Sequence, residues 1–314
     1  MTTLRPLGSS DLHVFPLALG GNVFGWTADE TASFAVLDAY AAAGGNFIDT
    51  ADLYSSWAPG NEGGESETVI GNWIASRGNR SEVLVATKIG AHPRYKGLRA
   101  ATITAGVEES LRRLRTDHID LYYTHFDDPE VPVEEIITTL DQLVKAGKVR
   151  AIGASNIDAE RLAASLAFSE SEGLARYVAL QPRYNLVSRD TYEGDLRDTV
   201  RRHGLSTVPY PALASGFLTG KYRPGTTVDS PRAGRAAEYL RSERGAKVLT
   251  ALDRIAGARD AEIPTIALAW LAAQPTVVAP LASARSTEQL PALLAAADLE
   301  LTGEELAELT AASA

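Results

Sequence analysis

Four side chains that can hold or transfer a proton follow three apolar segments of the chain. Asp49 ends the segment NFID, and Tyr54 follows it in a loop. Lys88 ends the segment VLVATK, and His125 ends LYYTH. A carboxylate, a phenol, an ammonium and an imidazole can together position and move one proton, so this arrangement predicts acid–base chemistry.

The physical cost of burying a lysine predicts how these residues pair. An ammonium beside an apolar core costs several kcal/mol unless a carboxylate pairs with it, and Asp49 is the available carboxylate. A nearby ammonium stabilises a phenolate, so we expect Lys88 to lower the pKa of Tyr54 below its ordinary value of about 10. We expect His125 to donate a hydrogen bond to the reacting oxygen as a neutral imidazole.

Short apolar runs alternate with helical patterns along the chain. The apolar runs predict eight strands, near residues 17, 47, 84, 122, 152, 179, 208 and 279. The helical patterns cover residues 29–43, 66–77, 102–115, 133–146, 158–170, 189–203, 243–259, 264–273 and 286–298. Most of the strand runs are continuously apolar, which is typical of parallel strands buried on both faces.

Local signals predict where several of these helices begin and end. Capping boxes are expected at Thr27 to Glu30 and at Ser286 to Gln289. Gly44 and Gly147 stand where two helices should stop. Each predicted strand is therefore followed by a helix with its own boundaries.

Eight β/α units of similar length predict an α/β fold of the (β/α)8 TIM barrel type. A doubly wound sheet is the alternative, but GGNVFG after the first strand lacks the G-x-G-x-x-G phosphate turn. LRPLGSSDLHVF predicts an N-terminal β-hairpin, and residues 211–242 predict a long loop after strand 7. With no linker in the sequence, we expect one domain over residues 1–314. The carboxyl ends of its strands would bring the four proton-handling residues to one mouth.

Four segments together resemble the aldo-keto reductase superfamily, and the resemblance runs from about residue 4 to residue 311. They are NFIDTADLYSS, GGESETVIGNWI, HIDLYYTHFDD with GKVRAIGASN, and PYPALASGFLTGKY. The resemblance implies that an aldehyde or ketone is reduced with hydride from a nicotinamide cofactor while Tyr54 protonates the oxygen. Asp49, Lys88 and His125 would complete the catalytic tetrad. The implied cofactor is NADP, with NAD as the alternative.

The resemblance also implies which residues contact the cofactor. Ser155, Asn156 and Gln181 resemble the trio that hydrogen-bonds the carboxamide, and Tyr210 resembles the aromatic residue that stacks on the nicotinamide. The candidates for the pyrophosphate and the adenosine phosphate are Leu213, Gly216, Leu218, Gly220, Lys221, Ser283, Arg285 and Gln289. A guanidinium beside a helix start favours an anion, which favours NADP.

Three positions depart from the family pattern. Pro211 stands where later members commonly have serine, Leu293 where an asparagine often holds the adenine, and Ser283 where glycine is frequent. These departures concern the affinity for the adenosine portion of the cofactor and leave the hydride chemistry unchanged.

Aromatic residues in the loops after strands 1 and 2 are candidates for the substrate pocket. Phe24, Trp26 and Trp57 are expected to form an apolar pocket wall, because these loops would rim the mouth of the barrel. No pair of histidines has the spacing of metal ligands, so no metal site is expected.

Composition limits the class of protein. The chain has 314 residues, 45% of them hydrophobic, no cysteine and a net charge of -10. Disulfides and a thiolate nucleophile are excluded, and the absence of a basic cluster argues against nucleic acid and anionic membranes as partners. The start of the chain lacks the features of a signal peptide, so we expect a cytoplasmic protein with a small carbonyl compound as its partner. The oligomeric state stays open.

Two other functions are compatible with the sequence. The protein could be a cofactor-binding regulatory subunit, similar to the potassium-channel β subunits. It could also be a Schiff-base aldolase, because Lys88 ends a barrel strand, where amine nucleophiles occur.

Overall fold

The chain begins with a β-hairpin that leads into a sheet of parallel strands. The computed structural model describes residues 2–314. In it β1 (Arg5–Pro6) and β2 (His13–Val14) pair antiparallel, as predicted for the hairpin. Eight parallel strands follow within the described residues: β3 (Ala18–Gly20), β4 (Phe47–Asp49), β5 (Leu84–Ile89), β6 (Ile119–Thr124), β7 (Val149–Ser155), β8 (Tyr177–Gln181), β9 (Ser206–Thr207) and β10 (Leu281–Ala282).

The sheet closes on itself. Strands β3 to β9 pair in chain order, and β10 pairs with β3. The remaining gap is bridged because Thr207 donates its backbone N–H to Thr276 O at 2.8 Å and accepts that of Val278 at 3.0 Å. The predicted (β/α)8 barrel is therefore confirmed.

Helices surround this barrel. Their bounds are α1 (Glu30–Ala42), α2 (Glu65–Arg77), α3 (Ala100–Leu114), α4 (Val133–Lys145), α5 (Ala159–Glu172), α6 (Asp195–Arg202), α7 (Ala233–Arg241), α8 (Glu243–Arg259), α9 (Ile263–Ala272), α10 (Leu290–Leu294) and α11 (Gly303–Ala312). Among residues 2–314, none of them combines the length and the apolar run that crossing a membrane requires.

The core has two parts because side chains on a strand alternate between faces. The outer part fills the space between the sheet and the helices. The inner part lies inside the barrel and contains Phe47, Leu121 and Tyr123 together with Leu7 and Leu12 of the hairpin. The hairpin therefore closes the end of the barrel at which the strands begin, and the opposite end is left for a site.

One glycine is required by this inner packing. A Cβ on Gly153 of β7 would lie 2.5 Å from the ring of Tyr123 on the neighbouring strand. Glycine at this position lets the aromatic ring fill the barrel interior.

Several predicted boundaries are wrong for local reasons. Helix α1 is capped by Asp29, whose Oδ1 accepts the N–H of Ala32 at 2.8 Å, so the expected capping box from Thr27 does not form. The predicted helix 189–203 begins only at Asp195, after Gly194 with φ 105°. Gly44 and Gly147 do follow helices with positive φ, 87° and 72°.

Two further segments differ from the prediction. Residues 286–298 form a short α10 between two 3₁₀ turns, and the side chain of Ser286 accepts no capping bond. The segment 211–242 is not all loop, because it contains a 3₁₀ segment, Ala214–Thr219, and the helix α7.

Candidate active site

The carboxyl-terminal ends of β4 and β5 place an ion pair inside the barrel mouth. The Nζ of Lys88 donates hydrogen bonds to Asp49 Oδ2 at 2.7 Å, to Thr50 O at 2.7 Å and to Tyr54 Oη at 2.9 Å. Lys88 and Asp49 are both completely buried. Three acceptors match the three donors of an ammonium, so the surroundings of Lys88 are built for its charged form.

The acid–base character of this cluster differs from the expectation in one respect. Burial, followed by the Asp49 carboxylate, raises the pKa of Tyr54 well above 10. The expectation that Lys88 lowers this pKa is therefore wrong for the protein without ligands. Burial also lowers the pKa of Lys88, and Asp49 opposes that decrease. Tyr54 is consequently a neutral phenol near pH 7, and it donates to Asp49 Oδ2 at 3.3 Å.

His125 lies beside the phenol as an uncharged imidazole. Burial, with a smaller contribution from Lys88, lowers its pKa to about 3. Its ring centroid is 6.1 Å from that of Tyr54, and its other face stacks on Phe126 at 4.9 Å. Within residues 2–314, its buried Nδ1 has no hydrogen-bond partner. A polar group of a bound molecule could supply that partner.

Gln181 and Ser155 connect this cluster to β7 and β8. Gln181 donates from Nε2 to Asp49 Oδ1 at 2.8 Å, and Ser155 donates from Oγ to Gln181 O at 2.8 Å. Both side chains are buried. Gln181 thus holds the carboxylate that in turn positions Lys88, and Ser155 holds the backbone of Gln181.

Asn156, which directly follows β7, makes a second connection, to the segments that follow β6 and β9. Its backbone is left-handed, with φ 47°, which asparagine tolerates better than most residues. Its Nδ2 donates to His125 O at 2.7 Å, and its Oδ1 accepts from Tyr210 Oη at 2.5 Å. The predicted cofactor residues Asn156 and Tyr210 are therefore in direct contact with each other, and Asn156 also contacts the His125 backbone.

A cavity of about 420 Å³ extends from this cluster. Asp49, Tyr54 and Trp26 lie along it. Most of the residues predicted to contact the pyrophosphate and adenosine portions also lie along it, together with Tyr210: Leu213, Gly216, Lys221, Ser283, Arg285 and Gln289. Segments far apart in the sequence, the loop after β9 and the segment after β10, thus share one wall.

The cavity is lined by cations without acidic partners. Lys221, Arg232 and Arg285 line it, and no carboxylate in the described part of the chain forms an ion pair with any of them. In a protein with a net charge of -10, this local excess of positive charge favours an anionic ligand. A cavity lined by cations, a phenol and the Tyr210 ring fits a nicotinamide dinucleotide with its phosphates.

Some predicted site residues lie elsewhere. Phe24 packs in the outer core and does not lie on the wall of this cavity, so that prediction is wrong. Trp57 stands at the rim, 45% exposed, with its ring 6.0 Å from that of Tyr54. The side chain of Leu218 is buried in the core, and Gly220 ends the 3₁₀ segment with φ 76°; neither lies on the cavity wall.

Asn22 and Arg232 are two of the polar cavity residues that were not predicted. Asn22 accepts a hydrogen bond from Ser283 Oγ at 2.6 Å, and Arg232 lies in the segment 211–242 that was predicted only as a long loop. The sequence contains no signal for either, because loop conformation decides which side chain turns into the cavity.

Comparisons with known proteins agree with this geometry. The family model "Aldo/keto reductase family" matches residues 16–314. The chain is 32% identical over 323 residues to an aryl-alcohol dehydrogenase [NADP(+)] of Phanerodontia chrysosporium, covering 94% of this chain and 81% of that protein. It is 35% identical over 327 residues to a norsolorinic acid reductase of Emericella nidulans, covering 98% and 79%.

A bacterial relative is similar over nearly its whole length. Protein tas of Escherichia coli is 31% identical over 329 residues, which cover 96% of this chain and 95% of that protein. The family match over almost the whole chain, the barrel and these relatives lead to one conclusion: the chain belongs to the Aldo/keto reductase family.

Proposed function

We propose that the protein is an NADP-dependent oxidoreductase that reduces an aldehyde or ketone to an alcohol with Tyr54 as the proton donor. The observation that carries the proposal is the contact of Tyr54 Oη with the buried Lys88–Asp49 pair, 2.9 Å from Nζ, at one end of a cation-lined cavity. Its family and a relative named for NADP(+) support the same reaction and cofactor.

The protein's own groups account for the proton in this reaction. A bound nicotinamide cofactor supplies the hydride that reduces the carbonyl carbon. Tyr54, neutral because burial raises its pKa, donates its phenolic proton to the carbonyl oxygen. The Lys88 ammonium then faces the phenolate that results and stabilises it. His125, uncharged, would hydrogen-bond the same oxygen and orient the carbonyl.

The assignment of the cofactor residues rests on the family resemblance and, for Tyr210, Lys221 and Arg285, also on the cavity that they line. Ser155, Asn156 and Gln181 would hold the carboxamide, and Tyr210 would offer its ring face to the nicotinamide. Lys221 and Arg285, which lack acidic partners among residues 2–314, would face the phosphates. The guanidinium of Arg285 supports a preference for NADP over NAD.

The Schiff-base alternative fits this site poorly. An amine nucleophile must be uncharged and free to attack, whereas Lys88 donates three hydrogen bonds and is buried against a carboxylate. These hydrogen bonds hold the amine of Lys88, so it is not free to attack a carbonyl group.

Replacing the phenol tests the proposal. Tyr54→Phe removes the proton donor, so carbonyl-dependent NADPH oxidation should fall about 10²- to 10⁴-fold. NADPH binding, followed by quenching of protein fluorescence, should be nearly unchanged. Tyr95→Phe, which removes a phenol outside the cavity, is the matched control and should keep full activity. Near-normal turnover in Tyr54→Phe would eliminate the proposal.

The same assay distinguishes a reductase from a cofactor-binding regulatory subunit. A cofactor-binding sensor should bind NADPH tightly but oxidise it very slowly with every aldehyde and ketone supplied. Steady-state turnover of the unaltered protein with simple aldehydes would exclude that role as its main function.

A further inference from the structure

Part of the cavity wall comes from the helix layer outside the barrel. Pro264, at the start of α9, and Ala292 and Leu293, on α10, line the cavity. Thr265 Oγ1 donates to Ala292 O at 2.6 Å, so the two helices are joined at this wall. Pro264 and Leu293 are buried. The wall is therefore a fixed apolar surface, of the kind that holds a flat ring in a ligand pocket.

One free carboxylate lies beside this apolar surface. Glu262 is the residue directly before α9, and it lines the cavity. It makes no capping bond to the helix, and within residues 2–314 its carboxylate pairs with no cation and accepts no hydrogen bond. The other carboxylate on the described cavity wall, Asp49, already accepts from Lys88 and Gln181. Glu262 is therefore the carboxylate that a bound molecule can use.

The charges around the cavity limit which part of a dinucleotide can meet Glu262. Lys221 and Arg285 line the same cavity and favour phosphates. A carboxylate repels phosphates, so Glu262 must face an uncharged part of the ligand that donates a hydrogen bond. In the adenosine half of the cofactor, those parts are the exocyclic amine of adenine and the ribose hydroxyls. The carboxamide of the nicotinamide half would belong with Tyr54, where the carbonyl is reduced.

The apolar surface favours the base over the ribose. The side chains of Pro264, Ala292 and Leu293 offer no hydrogen bonds to hydroxyl groups, but they can cover the face of an adenine ring. Gln289 is the other polar side chain of this wall, and its Oε1 already accepts the backbone N–H of Arg285 at 3.0 Å. Glu262 is thus the acceptor that remains for a donor at the edge of a base held against that surface.

We propose that Glu262 recognises the adenine of the cofactor by accepting a hydrogen bond from its exocyclic amine. The carboxylate would distinguish adenine from a base with a carbonyl oxygen at the same position, because two acceptors that face each other repel. The inference rests on the proposed function, because it concerns the cofactor of that same site.

Two cofactors that differ in one group of the base test the proposal. They are NADPH and reduced nicotinamide hypoxanthine dinucleotide phosphate, in which a carbonyl oxygen replaces the amine of adenine. Titration by quenching of protein fluorescence gives the ratio of the Kd for the hypoxanthine form to the Kd for NADPH. In the unaltered protein this ratio should be at least about 10, the effect of losing a charge-assisted hydrogen bond.

Glu262→Gln should bring that ratio to within about threefold of one, because an amide can accept from an amine or donate to a carbonyl oxygen. Removing a negative charge should also strengthen the binding of both phosphate-bearing cofactors, and the ratio cancels that effect. Glu304→Gln is the matched control, since Glu304 is also an exposed carboxylate at a helix start, that of α11, and lies outside the cavity. It should leave the ratio within about twofold of its value in the unaltered protein.

The ribose is the competing donor. If Glu262 instead accepts from the ribose 2′-hydroxyl that NADH carries, Glu262→Gln should weaken the binding of NADH relative to NADPH. The ratio for the two bases would then be the same in the variant and in the unaltered protein. That result, or an unaltered protein that binds both bases equally, would overturn the proposal.

Binding and turnover separate this inference from the proposed function. If NADPH binds with the expected preference but no aldehyde or ketone is reduced, the reductase assignment fails and the role of Glu262 stands. If carbonyl compounds are reduced while the two bases bind equally, the role of Glu262 fails and the reductase assignment stands. A protein that binds no NADPH would overturn both.

Discussion

Two buried ion pairs are anchored one residue apart on β5, and they face opposite sides of the strand. Lys88 points into the barrel and pairs with Asp49 at 2.7 Å. Thr87 points toward the helices and donates to Glu67 Oε1 at 2.5 Å, while Glu67 Oε2 accepts from Arg113 Nε at 2.6 Å. Successive side chains of a strand point to opposite faces, so one strand carries both clusters.

Both ion pairs are buried, but only the inner pair borders the cavity. Asp49 lines the cavity, and the third hydrogen bond of Lys88 goes to a phenol. Glu67 on α2 and Arg113 on α3 join two helices to β5, and neither lines the candidate site. A buried ion pair alone is therefore poor grounds for assigning catalysis. What distinguishes the inner pair is a titratable partner at the wall of a cavity.

The largest expected effect comes from breaking the inner pair. Lys88→Met removes the ammonium that faces the Tyr54 phenol, so kcat for carbonyl reduction should fall at least about 10³-fold. It also leaves the Asp49 carboxylate buried without a partner, which should reduce the free energy of unfolding by about 3–5 kcal/mol. Steady-state kinetics and urea unfolding measure the two effects.

Tyr54→Phe is the control that separates these two losses. It should lose activity while its urea midpoint stays close to that of the unaltered protein, because the Lys88–Asp49 pair remains intact. A Lys88→Met protein that is as stable as the unaltered one would contradict the account of Asp49 as a carboxylate that depends on Lys88.

Breaking the outer pair should affect stability alone. Arg113→Met leaves Glu67 buried without its guanidinium, so the free energy of unfolding should fall by about 3–5 kcal/mol. The activity per folded molecule should stay within about threefold. The neighbouring Arg112→Met is the matched control: its side chain is 69% exposed and pairs with Glu109 on the surface, so the expected loss is below about 1 kcal/mol. A large fall in kcat of folded Arg113→Met would remove the distinction between the pairs.

The inner cluster could be predicted from the sequence because the fold brings the ends of the parallel strands together, and its residues lie at those ends. Asp49, Lys88 and His125 each follow or end a strongly apolar run, and parallel barrel strands bring such positions to one mouth. The outer pair had no comparable signal. Glu67 and Arg113 are 46 residues apart on two helices, and their contact depends on how α2 and α3 pack on the sheet.

The acid–base state of Tyr54 could not be predicted from the sequence for a related reason. An ammonium lowers the pKa of a phenol, whereas burial and a carboxylate raise it, and the result depends on distances of a few ångströms. Oη of Tyr54 is 2.9 Å from Lys88 Nζ and 3.3 Å from Asp49 Oδ2, and the pKa is raised. Arg232 likewise enters the cavity through a loop conformation that residue types alone do not fix.

The smallest expected effect comes from Asp52. Its pKa measures the electrostatic field between the two ion pairs. It is completely buried, and burial, followed by the charge of Glu67, raises its pKa to about 8. In an unfolded chain an aspartic acid titrates near pH 3.9, so between about pH 4 and pH 8 the folded protein holds a proton that the unfolded chain has released. Unfolding then releases this proton, and the group's contribution to stability falls as pH rises through that window.

Asp52→Asn replaces the protonated carboxyl with a neutral group of the same shape that cannot ionise. The variant and the unaltered protein should therefore differ little in stability below about pH 4, and the variant should gain about 2 kcal/mol relative to the unaltered protein between pH 5.5 and pH 7.5. Urea unfolding at both pH values measures this difference, and comparing the two proteins cancels the contributions of all other groups. Parallel pH profiles would mean that Asp52 is ionised in the folded protein. Asp52 would then be a third buried anion beside the two ion pairs, compensated by Arg113 or Lys88. The inner and outer clusters would form a single network of interacting charges.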